Sequence, residues 1–573
     1  MQAIKDKFPL NPDLGLWADN STRDINWLTL PIDECQGLLS KIIEFKDKNR
    51  GQYKHIIVVG MGGSSRPADV IRGVLGTQEG YAQIHVMENL DDDAISEIKE
   101  SIDLKESLFI SISKSGNTAE TMALTRIAYS WIKEAELDPK KHFIAITTTS
   151  KESALTRFLK DNNVSEEDIF QHPENVGGRF TFFSVVGMLP AALAGHDVGK
   201  ILELAKQTLE SDEKYNLGLF LVKMEEENRP YMRVVLPSEL KTMGAWIEQL
   251  IAESLGKIDK NGKNRGIIPI LERDCDSSVY RDNVFCCRIK FGSSDSNDAF
   301  IKQIEDKNIP VWNFDVDSKY EALGVLYALE FATGAAGILM GLDPFNQPGV
   351  EAKKQAARDM KTKIKDKISK GVSLEEAFKD EVKDNASSYR INIAGGIVLD
   401  FGAIMEVSAD DLVSFALTKG IDIKNSKDAV KVYSIIMQFA NYKGKSYAGF
   451  FPYAYETKEC ERVWALARSI ARKNNLQDVY GVGPIYEHST AQFLQEGPDL
   501  GISIFVVINS KGDIIIPEDE IVGFSCGMQN ALQALGTQKA LTQAGRFTLR
   551  IEVEGSLTKE KAKSLAEFFS FIE

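Results

Sequence analysis

Four hydroxyls crowd one nine-residue stretch, SKSGNTAET, from Ser113 to Thr121. Ser113, Ser115, Thr118 and Thr121 surround Gly116 and Asn117, directly after the apolar run LFISI. The run reads as a strand, and a helix is expected from about Asn117 to Glu134. The first N–H groups of a helix have no intrahelical partner and carry partial positive charge. With the backbone N–H groups of Ser115 to Thr118 as that first turn, the hydroxyls could surround a phosphate with neutral donors. An ordinary N-cap needs only one such hydroxyl. On spacing alone both readings stay open. The pattern is not a P-loop, because GxxxxGK[ST] is absent.

A second strand-to-helix junction, VVGMGGSSRP at 58–67, carries Gly63 and Ser64. It approaches a dinucleotide fingerprint, but Ser65 stands where the third glycine would be. It reads as a tight turn, or as a second wall of the same pocket, since neighbouring parallel strands end on one side of a sheet.

The elements around these junctions alternate. Strands are expected at 55–60, 84–90, 108–113 and 142–149, with helices between them, which predicts a parallel doubly wound sheet. Helical segments follow from Thr181 to about Glu210. A second unit of the same kind begins near Arg229, with strands in RVVLPS, IIPILERD, VFCCRIKF and PVWNFDV and helices at 241–256, 297–307 and 320–341. A Lys/Asp/Glu-rich stretch, 353–387, reads as a solvated linking helix. From about 391, strands in SYAGFFPYAY, GISIFVVINS and RFTLRIEVEG mix with helices at 459–473 and 528–537. The fold class is therefore α/β: two doubly wound domains, 1–215 and 216–385, plus an α+β region, 386–573.

Composition narrows the function classes. A net charge of −15 without a dense Lys/Arg run argues against nucleic acid and against an anionic membrane surface. The N-terminus lacks the apolar core of a signal peptide. The longest apolar stretches, Phe180 to Ala194 and Leu323 to Leu342, contain Pro190 and Glu330 and read as core helices. Six cysteines without CxxC spacing read as reduced thiols in a cytoplasmic protein. Six histidines form no HxxxH or HExxH pattern, so no metal site is expected.

SKSGNTAET after a strand resembles the phosphate loop of the sugar isomerase (SIS) fold. GMGGSS (60–65), NVGGRFTFFSVVGMLP (175–190), AESLGK (252–257) and DPFNQPGVEAKK (343–354) resemble the glucose-6-phosphate isomerase family. GVGPIYEHSTAQFLQEGPDLG and the IPEDEIVGFS region resemble the isomerase half of fused transaldolase/glucose-6-phosphate isomerases, with no transaldolase portion expected here.

The resemblance implies two flavodoxin-like SIS domains and the reversible isomerisation of glucose 6-phosphate and fructose 6-phosphate through a cis-enediol(ate), in glycolysis and gluconeogenesis. Such chemistry needs a base between C2 and C1, a group that opens the ring, and positive charge near the enediolate oxygen. The family pattern gives Glu253 as base, which residue type alone would read as a surface Glu on an amphipathic helix. It gives Arg179 as the fixed cation and Lys354 as the active-site lysine, seven residues after Gln347 at the phosphate end. It gives His488, in an HxxxQ pattern, as the ring opener, an imidazole being suited to moving protons. His488 follows Lys354 in the chain, an order shared with the fused enzymes, so it could serve its own pocket or a neighbour's. The resemblance implies a homodimer and a small sugar phosphate as the only partner. No cofactor or metal is needed, since a carboxylate can carry the proton. The rivals are a dual phosphoglucose/phosphomannose isomerase, a non-catalytic SIS sugar-phosphate regulator and an inactive scaffold subunit.

Overall fold

The computed structural model describes residues 2–572 apart from 10–14, 20–23, 32–34, 150–151, 260, 264, 347–349, 511 and 513. They form two units, one of Met1–Glu88, Glu97–Gln347 and His488–Phe493, the other of Asn89–Ser96, Pro348–Glu487 and Leu494–Glu573.

The first unit contains two parallel sheets. Strands β1 (His55–Val59), β2 (Gln83–Met87), β3 (Ser107–Ser113), β4 (Phe143–Thr147) and β5 (Ile169–Gln171) lie in the order β2-β1-β3-β4-β5. Every pairing is parallel, with Val59 opposite Ser111 and Ser113 opposite Thr147. All seven residues of β3 are buried, as a central strand covered on both faces requires. The order reverses between β1 and β3, so the two loops singled out above flank the position where doubly wound sheets open a crevice.

Strands β6 (Tyr231–Val235), β7 (Ile268–Leu271), β8 (Val284–Phe291) and β9 (Val311–Val316) make the second sheet, β7-β6-β8-β9, again wholly parallel. Helix Met243–Leu255 follows β6 and buries nearly every side chain, Gln249 and Glu253 included. A helix buried around its whole circumference belongs to a core, its polar side chains included. Glu253 is therefore not on a solvated amphipathic face. Helix Lys319–Leu339 is long and apolar enough to cross a membrane by length and composition, but 94% of that window is buried inside the protein.

Two expectations change here. The helical run from Thr181 to Glu210 is broken into Val185–Leu193 and Val198–Glu210. Gly195, at φ +89°, turns the chain between them, and the Asp197 side chain caps the second helix by accepting from the Lys200 N–H. The 117–134 helix starts at Ala119.

In the second unit, β10 (Arg390–Ala394), β11 (Ile397–Asp400), β12 (Tyr447–Tyr453), β13 (Gln477–Tyr480), β14 (Gly501–Asn509) and β15 (Phe547–Glu554) form one mixed sheet, β10-β11-β15-β14-β12-β13. Its four parallel strands repeat the order of the second sheet, and the antiparallel hairpin β10-β11 is joined to β15. The charged 353–387 stretch is not simply solvated. It forms helices Val350–Ser369 and Leu374–Asp384, which bury Met360, Ile364, Ala377 and Phe378. The first packs against helix Cys526–Gln543. Met360 and Ile364 are four apart, enough for a narrow apolar stripe under many charges.

On β1 and β2 of the first unit, His55 Nδ1 and His85 Nε2 are 3.1 Å apart. Burial, then the charges of His55 and Arg72, lower His85 from 6.5 to about 4. The folded state thus favours the neutral ring, and this contribution is complete above pH 6.5 and is lost as pH falls towards 4. Urea unfolding is expected to show stability falling over that window and falling less in His85→Gln. Equal pH dependence in the two proteins would contradict the assignment.

Candidate active site

The hydroxyl-rich loop is a built structure rather than a bare helix end. Thr118 is the N-cap residue of helix Ala119–Glu134 but makes no side-chain cap bond. Ser113 Oγ and Thr118 Oγ1 lie 3.2 Å apart. The Gly116 N–H donates to Ser113 Oγ at 3.1 Å and the Asn117 N–H to Ser115 Oγ at 3.2 Å. Those two backbone donors are therefore used inside the loop, and the uncapped first turn consists of Ala119, Glu120 and Thr121. Thr121 Oγ1 is buried with no hydrogen-bond partner, an unmet need that a ligand oxygen could satisfy. Behind the loop, Thr147 Oγ1 donates to the Ser113 carbonyl at 2.7 Å and the Ala154 N–H donates to Asn117 Oδ1 at 3.0 Å. Gly116 sits at φ +63°, and a Cβ there would meet Ser153 Oγ at 2.0 Å, so only glycine fits.

The neighbouring loop makes a turn at Gly62–Ser64, with Ser64 half-buried. It meets a third loop backbone to backbone. A Cβ on Gly63 would lie 2.0 Å from the Gly178 carbonyl oxygen, and Thr181 Oγ1 donates to the Gly63 carbonyl at 2.9 Å. Gly63 thereby fixes the residue before Arg179.

Arg179 is 2% exposed and its three kinds of nitrogen are all engaged. Nη1 donates to Glu253 Oε2 at 3.1 Å, Nε to Ser254 Oγ at 2.7 Å, and Nη2 to the Pro344 carbonyl. Glu253 is buried, and its other oxygen accepts from Gln249 Nε2 at 3.1 Å. Burial raises the Glu253 carboxyl above its ordinary value, while Arg179, Gln249, His488 and Lys257 pull it back. The result is a carboxylate made more basic by desolvation and held from both oxygens.

His488 of the same chain belongs to this unit. Its Nε2 lies 3.5 Å from Glu120 Oε1, on the first turn of the helix behind the hydroxyl loop, and makes no hydrogen bond. Gln249, Glu120 and Lys257 escaped the sequence reading. The first two are four residues before Glu253 and one before Thr121, on faces that only the folded helices define. Lys257, at the end of AESLGK, is buried and donates from Nζ to the carbonyls of Asp343, at 2.6 Å, and Asn346. Gly256 follows the last helical residue, and with φ −74° it is no left-handed cap. Its missing side chain leaves room for Phe493, whose Cβ would be 2.6 Å from a Cβ at Gly256.

The structure thus joins Gly63, Ser64, Ser113, Ser115, Thr118, Thr121, Arg179, Glu253 and His488 in one unit. Lys354 is an exposed residue of helix Val350–Ser369 in the other unit. Gln347 lies outside the described residues. A cavity of about 810 Å³ elsewhere in the first unit is edged by Lys41, Lys48, Lys160, Glu44, Glu167 and Asp168. Its mixed charge gives it no preference for an anion.

A family model described as phosphoglucose isomerase matches residues 35–264, which include both glycine- and serine-bearing loops, Arg179 and Glu253. The chain is similar to the glucose-6-phosphate isomerase of Prochlorococcus marinus, with 30% identity over 378 residues covering 58% of this chain and 71% of that protein. It is similar to the glucose-6-phosphate isomerase of Campylobacter jejuni, with 28% identity over 377 residues covering 58% of this chain and 90% of that protein. Among solved structures it is similar to a hypothetical protein of Thermus thermophilus, with a TM-score of 0.54 and 21% identity, covering 62% of this chain and 96% of that one. At that identity the likeness speaks for the fold.

Gly63→Ala is expected to push the Gly178–Arg179 backbone away, because both colliding partners are main chain. Overpacking of this kind costs about 1–3 kcal/mol. Thermal unfolding should show the loss, and an unchanged melting temperature would refute the close approach.

Proposed function

The chain belongs to the glucose-6-phosphate isomerase family, and from that premise we propose that the Glu253 cluster interconverts glucose 6-phosphate and fructose 6-phosphate. The observation that carries this reading is the buried carboxylate of Glu253, raised by desolvation and clamped by Arg179 and Gln249. Glu253 takes the proton from C2 of the opened aldose and returns it to C1, while O2 gives up its proton and O1 gains one, giving the ketose. The cis-enediolate between these steps carries negative charge on oxygen, and the Arg179 guanidinium, which keeps its proton, stabilises it. His488 moves the ring-oxygen and O1 protons in ring opening, with Glu120 beside its Nε2 to stabilise the imidazolium that forms.

The phosphate is held by Ser113, Ser115, Thr118 and Thr121, by the first-turn N–H groups behind them, and by the Gly63–Ser64 turn. Neutral donors of this kind bind a dianion at short range without a basic surface. Lys354 and Gln347 are proposed for the phosphate end and the enediolate on the family pattern alone. The same pattern supports a cytoplasmic homodimer, which sedimentation of the purified chain tests.

In a coupled assay the chain is expected to turn over fructose 6-phosphate in preference to mannose 6-phosphate. Glu253→Gln should lower kcat by about 10²- to 10⁴-fold, the range for loss of a general base, with little change in KM. A near-normal rate would remove Glu253 as the base. Because the base must be ionised and its carboxyl is raised, the acid limb of kcat/KM should lie above the ordinary glutamate value of 4.5. A limb at or below 4.5 would mean that Glu253 is better solvated than this reading requires.

The double variant Ser115→Ala/Thr118→Val should raise KM for fructose 6-phosphate, because phosphate oxygens lose donors. An unchanged KM would place the phosphate elsewhere.

A further inference from the structure

We propose that Thr490 and Glu248 are a positioning pair that seats His488 on the helix carrying Glu253. Six residues, His488–Phe493, are set into the first unit from a part of the chain otherwise assigned to the second. The segment takes the end of the turn Ile485–His488 and the start of the short helix Ala491–Glu496 and joins no sheet, so side-chain anchors hold it in place. Three are visible. Thr490, fully buried, donates from Oγ1 to Glu248 Oε1. His488 rests in space that Gly62 leaves open, since a Cβ on Gly62 would lie 2.8 Å from the His488 Cβ. Phe493 fills the space above Gly256 at the helix end.

The first anchor is the chemically specific one. Glu248 is a buried acid for which the isomerisation has no proton to move. Burial raises its carboxyl, the Thr490 hydrogen bond opposes that, and Arg273 and Arg66 act on it more weakly. It sits five residues before Glu253 and next to Gln249, which holds the Glu253 carboxylate. One buried helix therefore fixes both the proposed base and the segment bearing the proposed ring opener. The distance between the two groups is set by a rigid element of about three and a half turns. Misplacement of a reacting group by about 1 Å can cost about 10²-fold in rate, so an anchor of this kind bears directly on turnover.

The inference rests on the proposed role of His488, and the experiment separates the two. Thr490→Val keeps the shape but removes the donor. It is expected to lower kcat by about 10- to 100-fold with KM changed less than about 2-fold, because the phosphate donors are untouched. Glu248→Leu should do the same, whereas Glu248→Gln, which keeps an acceptor oxygen of the same reach, should restore most of kcat. In a His488→Ala background, Thr490→Val should add no further loss. If His488→Ala alone turns over normally, the ring-opening role falls and this inference falls with it. If His488→Ala is slow while Thr490→Val is normal, the inference alone is overturned. Should Thr490→Val fail to fold, the comparison of Glu248→Gln with Glu248→Leu decides, and equal kcat in those two overturns the pair.

Discussion

The contact between Arg179 and Glu253 constrains everything around it. Their side chains are 2% and 6% exposed, so neither charge has water as an alternative partner. Breaking a buried pair by removing one member typically costs about 3–5 kcal/mol, because the survivor is left uncompensated. The remaining valences of Arg179 are then committed in turn, to Ser254 on the Glu253 helix and to the Pro344 carbonyl. Lys257, from the end of the same helix, takes the carbonyls on either side, at Asp343 and Asn346. Two buried cations thus tie the 343–346 turn to the helix that bears the carboxylate. The chain cannot move that turn without exposing or orphaning a charge. The pair also sets the chemistry. Burial makes the carboxylate more basic and the guanidinium makes it less so, and the proposed role of Glu253 as base rests on that balance.

Around this pair, glycines work as spacers. At Gly63 a main chain touches a main chain, at Gly62 a histidine needs room, and at Gly256 a phenylalanine does. Each removes a side chain where two segments distant in sequence must approach. The parallel order β2-β1-β3-β4-β5 brings the carboxyl ends of β1 and β3 side by side, so the turn at Gly62–Ser64 and the hydroxyl loop open from one sheet edge. The sheet supplies proximity and the glycines convert it into contact.

This division explains what could be read in advance. Strands such as LFISIS and the first half of VFCCRIKF put apolar or small residues on both faces, and burial on both faces is what the parallel sheets demand. The loops were legible because glycine and hydroxyl density is a local property. Glu120, Gln249 and Lys257 were not, since their part depends on which helix face meets which loop, and no local pattern encodes that. The exposure of Glu253 was misread by residue type for the same reason. Its helix carries Glu248, Gln249, Glu253 and Ser254 yet is buried all round, and only the packing shows that no solvated face remains. The 350–384 helices were read as solvated because charges outnumber the apolar residues, although two or three well-spaced apolar side chains suffice to dock a helix. Strands β5, β10, β11 and β13, of three to five residues, are absent from the sequence reading because so short a run shows little alternation, whereas the equally short β7 stands out by its apolar run IIPIL.

An acidic protein that holds a phosphate dianion faces an apparent conflict, with a net charge of −15. Range resolves it. At physiological ionic strength the field of the whole chain is screened over about 8 Å, so distant carboxylates contribute little at the loop. What remains is local: the uncapped first turn at Ala119–Thr121, the hydroxyls before it and an orphaned hydroxyl at Thr121. These donors have no charge to desolvate, so gathering them in a part-buried loop costs less than gathering lysines there would. The buried positive charge is instead kept at Arg179, the residue proposed to face the charge that develops as the proton leaves C2. In the proposed mechanism neutral donors take the end of the substrate that never changes charge, and the fixed cation takes the end that does. That separation favours the transition state over the bound ground state, which is the condition for raising kcat rather than merely tightening binding.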